Sequence, residues 1–188
     1  MSNVTTEHVG QVRKPIPSSL SKAAVQEFAE NAARNLGFKP GDAIEPLIEK
    51  LGGRIVFYTP VDELTGIPES ISVEPSGKFT IYLTSLTSAK RDRFTIAHEL
   101  GHYLLHYPLV ANRWHGSRMV ATRWVDESDD QQRRGEWEAN WFAASFLMPA
   151  KAFQDAVRIY EGNLSVVALM FGVSEKAAEV RARSLELA

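Results

Sequence analysis

The chain contains no cysteine. Disulfides and thiolate metal sites are therefore excluded, and any metal it binds must be held by His, Asp or Glu. Neither sign of charge is in excess: 21 Lys and Arg stand against 23 Asp and Glu, a formal net charge of −2. That balance gives no electrostatic reason to expect nucleic acid or an anionic membrane as partner. No apolar run approaches the roughly 20 residues of a membrane span. The N-terminus also lacks the apolar core of a secretory signal, so a cytoplasmic chain with no membrane partner is expected. Internal repeats are absent. With 188 residues, 44% hydrophobic and 23% charged, the chain has the make-up of one globular domain with an ordinary core.

What is present is concentrated in five residues, His98-Glu99-Leu100-Gly101-His102. On a helix, side chains at i and i+4 stand one above the other, so His98 and His102 can reach one metal ion. Glu99 sits beside them, where a carboxylate can take a proton from water at the metal; this is the HExxH pattern of zinc peptidases. Random placement would produce it in roughly one such chain in a hundred, so its surroundings matter. Read as a helix from Arg91 to His106, the segment carries Phe94, Ile96, Ala97, Leu100, Tyr103, Leu104 and Leu105 around most of its circumference. Thr95, His98, Glu99, His102 and His106 share the remaining polar arc. A buried helix with one polar stripe needs polar partners for it, because each unpaired buried group costs about 1–3 kcal/mol.

A catalytic zinc needs a third protein ligand and an open position for water. A second helix is expected from Gly135 to Leu147, stopped by Met148-Pro149, since the residue before proline is driven out of helical geometry. Glu136, Asn140, Ala143 and Leu147 share one face there, and the small residues would let this helix lie close to the His98 helix. Glu136 is the favoured third ligand, with Asn140 orienting a ligand histidine. Glu138, on the opposite side, stays open as the alternative. His106 is compatible with metal binding or with a cation at a helix C-terminus.

The two blocks, His98-Glu99-Leu100-Gly101-His102-Tyr103-Leu104-Leu105-His106 and Glu136-Trp137-Glu138-Ala139-Asn140-Trp141-Phe142-Ala143-Ala144-Ser145-Phe146-Leu147-Met148-Pro149, resemble the ImmA/IrrE family of metallopeptidases in order and spacing. The resemblance extends more loosely from about Ser18 to the C-terminus. It implies a zinc endopeptidase with one metal per chain, held by His98, His102 and Glu136, and with Glu99 as general base. It also implies a helix-turn-helix repressor as substrate, cut to derepress stress or mobile-element genes. Two rival readings are a non-catalytic metal-binding sensor and a DNA-binding regulator acting through the C-terminal helices.

Along the chain, residues 1–17 are polar, end in Pro15-Ile16-Pro17 and read as a flexible arm; residues 18–188 read as one metallopeptidase domain. Ser18 or Ser19 can cap a helix with Ala24, Phe28, Ala32 and Leu36 on its apolar face and Gly37 as terminator. A second helix spans Asp42 to Leu51. Strands follow at Arg54–Thr59, Ile67–Val73 and Lys78–Leu83, the last two as an antiparallel pair. The expected fold class is α+β, a small, mainly antiparallel sheet packed against the metal helices, with a C-terminal helical pair. Residues Pro108 to Arg134 read as a long connection, a surface excursion or a flap offering His115 or an arginine to an oxyanion. Residues 164–188 resemble a helix-turn-helix with Ala168, Gly172 and Val173 near its turn. The second helix of that pair begins Ser174-Glu175-Lys176 without a basic stripe, so packing or partner contact is the expected role, and direct nucleic-acid binding is not.

Overall fold

A computed structural model describes residues 10–59, 69–124 and 126–187. Five strands and eight α-helices are described: β1 (Val12–Arg13), α1 (Lys22–Leu36), α2 (Glu45–Lys50), β2 (Gly53–Tyr58), β3 (Glu69–Val73), β4 (Phe79–Thr84), α3 (Ala89–Gly101), α4 (Tyr107–Arg113), β5 (Arg118–Thr122), α5 (Asp130–Leu147), α6 (Ala150–Ile159), α7 (Leu164–Phe171) and α8 (Glu175–Ser184). The class is α+β, as expected. The sheet runs β1-β5-β3-β4-β2. β3 pairs antiparallel with β4 and β5, and the two outer strands join parallel, β2 on β4 and β1 on β5. The expected β3–β4 pair is present, while Ile67 and Pro68 at the start of that expected strand lie outside the described residues.

Each helix end follows local chemistry. Ser21, not Ser18 or Ser19, caps α1, accepting from the Ala24 N–H at 3.2 Å. The buried face of α1 is accordingly Val25, Ala29 and Ala33, one residue on from the expected stripe, and Phe28 is left 38% exposed with its ring against Phe142. Ser18 is engaged elsewhere, on a buried carboxylate described below. Gly37 ends the helix in the left-handed region, φ 71°, which costs glycine little. Gly53 opens β2 against the Phe79 ring, where any Cβ would lie 2.3 Å from the aromatic carbons.

The histidine helix does not stop at His106. It continues through a π-helical turn, His102–His106, into α4, and Pro108 sits in the first turn of that continuation. Proline has no N–H and its ring crowds the carbonyl four residues back, so the widened turn lets the helix pass it. The long connection expected from Pro108 to Arg134 therefore resolves into α4, the interior strand β5 and the start of α5. Val12 and Arg13, within the stretch expected as a flexible arm, instead pair with Arg118 and Met119 of β5.

Helix α5 is the centre of the packing. It lies against α3 on one side and α1 on the other, burying Ala139, Phe142, Ala143 and Phe146. Phe146 stacks on Phe38 with centroids 4.7 Å apart. At the α3–α5 crossing, a Cβ on Gly101 would stand 3.2 Å from Ala139 Cα and from Phe142 Cβ, tighter than an ordinary contact, so glycine eases this approach. Gly101→Val should force the helices apart and destabilise the fold by about 1–3 kcal/mol, the usual range for overpacking. Urea denaturation would read this, and wild-type stability in that variant would contradict the close crossing.

Candidate metal centre

The crossing brings together side chains that are far apart in sequence. His98 and His102 lie one turn apart at the end of α3, with Nε2 atoms 3.1 Å from each other. Glu136, in the second turn of α5, places Oε2 3.2 Å from His98 Nε2 and Oε1 3.3 Å from His102 Nε2. These three residues form a group able to hold a metal ion. In tetrahedral coordination with bonds of about 2.0–2.1 Å, neighbouring ligand atoms lie about 3.3 Å apart, which is the spacing found here.

The outer nitrogens of both histidines are committed. His98 Nδ1 lies 3.0 Å from Asn140 Oδ1, so it donates and Nε2 keeps its lone pair. His102 Nδ1 meets His106 Nδ1 at 2.9 Å, and His106 Nε2 meets Glu138 Oε2 at 3.1 Å. The carboxylate can only accept, so His106 donates from Nε2, accepts at Nδ1, and His102 donates from Nδ1. His102 is thereby left with its Nε2 lone pair facing those of His98 and Glu136. Three lone pairs directed at one point, with no donor among them, are satisfied by a cation.

Glu138, the alternative third ligand, points away from this group and is fully buried. It accepts from the Ser18 N–H at 2.7 Å, the Ser18 hydroxyl at 2.8 Å, the Ser19 N–H at 2.9 Å and Arg134 Nε at 2.9 Å, besides His106. Burial alone would raise its pKa, but the His106, Ser18 and Arg134 hydrogen bonds outweigh that and hold it at about 2. Burial also lowers His102 to about 4, a neutral imidazole at neutral pH. Burial opposes ionisation of Glu136 too, yet its contact with the His102 and His98 rings keeps it well below the usual carboxylate range.

Glu99 is buried beside the group and accepts from the Ser70 hydroxyl of β3 at 3.1 Å. Burial raises its pKa to about 7; His98, Ser70 and Arg123 act against that rise and Glu136 adds to it. A cleft opens over these residues between the β3 and β5 ends on one side and α3 and α5 on the other, lined among others by Ser70, His98, Glu99, Arg123, Glu136 and Asn140. Arg123 is fixed there by donating to Tyr82 O at 2.6 Å and by stacking on Tyr58. His115 is exposed on the turn before β5 and does not line the cleft.

Of the residues read from sequence, His98, His102, Glu99, Glu136 and Asn140 come together. Ser70 and Arg123 were missed as specific members because both depend on sheet pairing that a weak strand and an unrecognised one concealed. The His106–Glu138 contact spans 32 residues and left no local signal.

Residues 56–183 match the sequence model of Peptidase_M78, the IrrE N-terminal-like domain. The chain belongs to this peptidase family. No curated protein matches the sequence. Among solved structures, a Mycobacterium tuberculosis transcriptional regulator is similar, with 18% identity and a TM-score of 0.57, covering 83% of this chain and 45% of that one. At that identity the likeness is one of fold, and this chain spans less than half the length of that structure. The IrrE-like match encloses both sequence blocks, and so every member of the group described above.

Glu138 makes this corner of the IrrE-like domain acid-sensitive. Its folded pKa lies below the usual 4.5, so its stabilising contribution is complete above about pH 4.5 and is lost as pH falls toward 2. Glu138→Gln should therefore flatten the dependence of stability on pH in that window. Denaturation midpoints measured across it would test this, and identical slopes for variant and wild type would refute it.

Proposed function

We propose that residues 18–188 form one zinc-dependent endopeptidase domain, and that its substrate is a helix-turn-helix repressor. The observation that carries the catalytic part is the convergence of His98 Nε2, His102 Nε2 and the Glu136 carboxylate at 3.1–3.3 Å beside a buried Glu99. The substrate class rests on the family resemblance.

In this reading His98, His102 and Glu136 hold one zinc ion per chain. When bound, it supplies a water whose pKa is lowered toward about 7 and polarises the scissile carbonyl. Glu99 takes the proton from the attacking water and delivers it to the leaving amine. The Ser70 hydroxyl keeps one Glu99 oxygen in place, and Glu99 lines the cleft. Arg123, which lines the same cleft, is the cation assigned to the oxyanion that develops on the carbonyl oxygen. Asn140 and His106 keep the two histidines in the tautomer that ligation requires.

No described helix is long and apolar enough to cross a membrane, and we take the cytoplasm as the site of action. The C-terminal pair α7–α8 buries Val167, Ala168, Phe171, Val173, Ala178 and Ala182, including the turn expected of a helix-turn-helix. We assign it to packing rather than to DNA.

Glu99→Gln should keep the bound metal and lower cleavage of a repressor substrate by about 10²–10⁴-fold, the usual worth of a general base. Gel-based cleavage assays with metal-loaded protein would measure it. Cleavage at the wild-type rate would remove Glu99 from the role assigned here.

A further inference from the structure

Beyond the cleft, a groove of about 910 Å³ runs between α1, α3, α5 and α8. It is continuous with the metal centre, sharing Phe94, Thr95 and Asn140 with the cleft. Most of its exposed lining surface is apolar, from Phe94 of α3, Trp141 and Ala144 of α5 and Ala177 and Val180 of α8, with the buried Arg181 also in its wall. Val180 is about half exposed. The rim carries Lys22, Lys90, Arg91 and Lys176, all exposed, and no Asp or Glu is among the described residues that line the groove. Lys176 also reaches Glu179 at 3.1 Å, an exposed pair that water and salt screen readily.

We infer that this groove is a docking site for an amphipathic helix of the protein substrate, apolar on the face it buries and bordered by carboxylates. This rests on the reading of the metal centre as a peptidase. Charge selects the partner: the four exposed cations on the rim, with no anion among the described lining residues, favour flanking carboxylates and repel flanking lysines. Size fits as well, since two turns of helix are about 11 Å long and 10–12 Å wide and occupy a comparable volume. Position gives the consequence. A helix seated here delivers the chain that leaves its end to the cleft beside His98 and Glu99, so the domain selects its target at a distance from the bond that is cut. The α8 helix, which sequence suggested as the second helix of a helix-turn-helix, serves as one wall of this groove.

The test is binding, read without cleavage. The probe is a fluorescein-labelled peptide of about 14 residues, with leucines at i, i+3, i+4 and i+7 and glutamates bordering them. A control peptide carries lysine at every glutamate. Fluorescence anisotropy is measured on the full chain carrying Glu99→Gln, which keeps the probe intact. The glutamate peptide should bind at least about tenfold tighter than the lysine peptide. Its affinity should fall at least about fivefold as NaCl rises from about 0.05 to 0.5 M. Lys90→Glu combined with Lys176→Glu, and separately Val180→Asp, should each weaken it about tenfold or more. These are exposed positions, and circular dichroism with retained metal content confirms that the variants fold. Equal affinity for the two peptides, or affinity untouched by the substitutions, would overturn the inference. So would sedimentation showing that a second copy of the chain covers the groove in a dimer abolished by Val180→Asp. Failure of repressor cleavage alone would count against the metal-centre reading and not against this binding.

Discussion

Everything at the metal centre depends on how closely two helices can approach. Glu136 and the two histidines are 34 or more residues apart in sequence, and only the α3–α5 crossing brings them within hydrogen-bonding distance. At that crossing Gly101 on one helix lies close to Ala139 and Phe142 on the other, where a further carbon would fit only if its neighbours gave by a few tenths of an ångström. The glycine inside the HExxH block is thus as much a part of the site as the histidines. It acts on helix separation, where they act on chemistry. The surrounding aromatic packing of Phe142, Phe146 and Phe38 holds the separation fixed.

From this geometry a second constraint follows. Two imidazole nitrogens and a carboxylate facing one another at 3.1–3.3 Å form a group able to hold a metal ion, and the outer hydrogen bonds favour one tautomer of each histidine. On the His98 side a single amide does this work. On the His102 side the task passes through His106 to Glu138, then to the backbone at Ser18 and Ser19 and to Arg134. The N-terminal segment is therefore tied to the metal centre through a buried carboxylate, although it is remote from it in sequence. The π-helical turn at His102–His106 belongs to the same arrangement, since it carries the helix past Pro108 while keeping both rings on one side.

Much of the site was legible because it is written in local spacing. The i, i+4 histidines, the adjacent glutamate and the Glu136–Asn140 face need only a helix to be understood, and Met148-Pro149 marks where that helix ends. The fold class was legible for the same reason, from the change between helical and strand periodicity at Gly52-Gly53. What was not legible depends on pairing across the chain. β5 is a five-residue strand whose apolar centre, Met119-Val120-Ala121, is no longer than a buried helical turn, and its membership of the sheet comes from β3 and β1 on either side. Arg123 and Ser70 reach the cleft only because those strands pair. The buried face of α1 lies one residue on from the expected stripe, and of the two expected caps the Ser18 hydroxyl is taken by Glu138.

The central claim is that one metal ion is held by His98, His102 and Glu136, with Glu138 outside the ligand set. Bound metal per chain, by elemental analysis after zinc loading and desalting, tests it most directly on wild type, His102→Ala, Glu136→Ala and Glu138→Gln. The account requires about one ion in wild type, loss of it in His102→Ala and Glu136→Ala, and retention in Glu138→Gln. Metal retained by Glu136→Ala but lost from Glu138→Gln, or no metal retained by wild type, would contradict it.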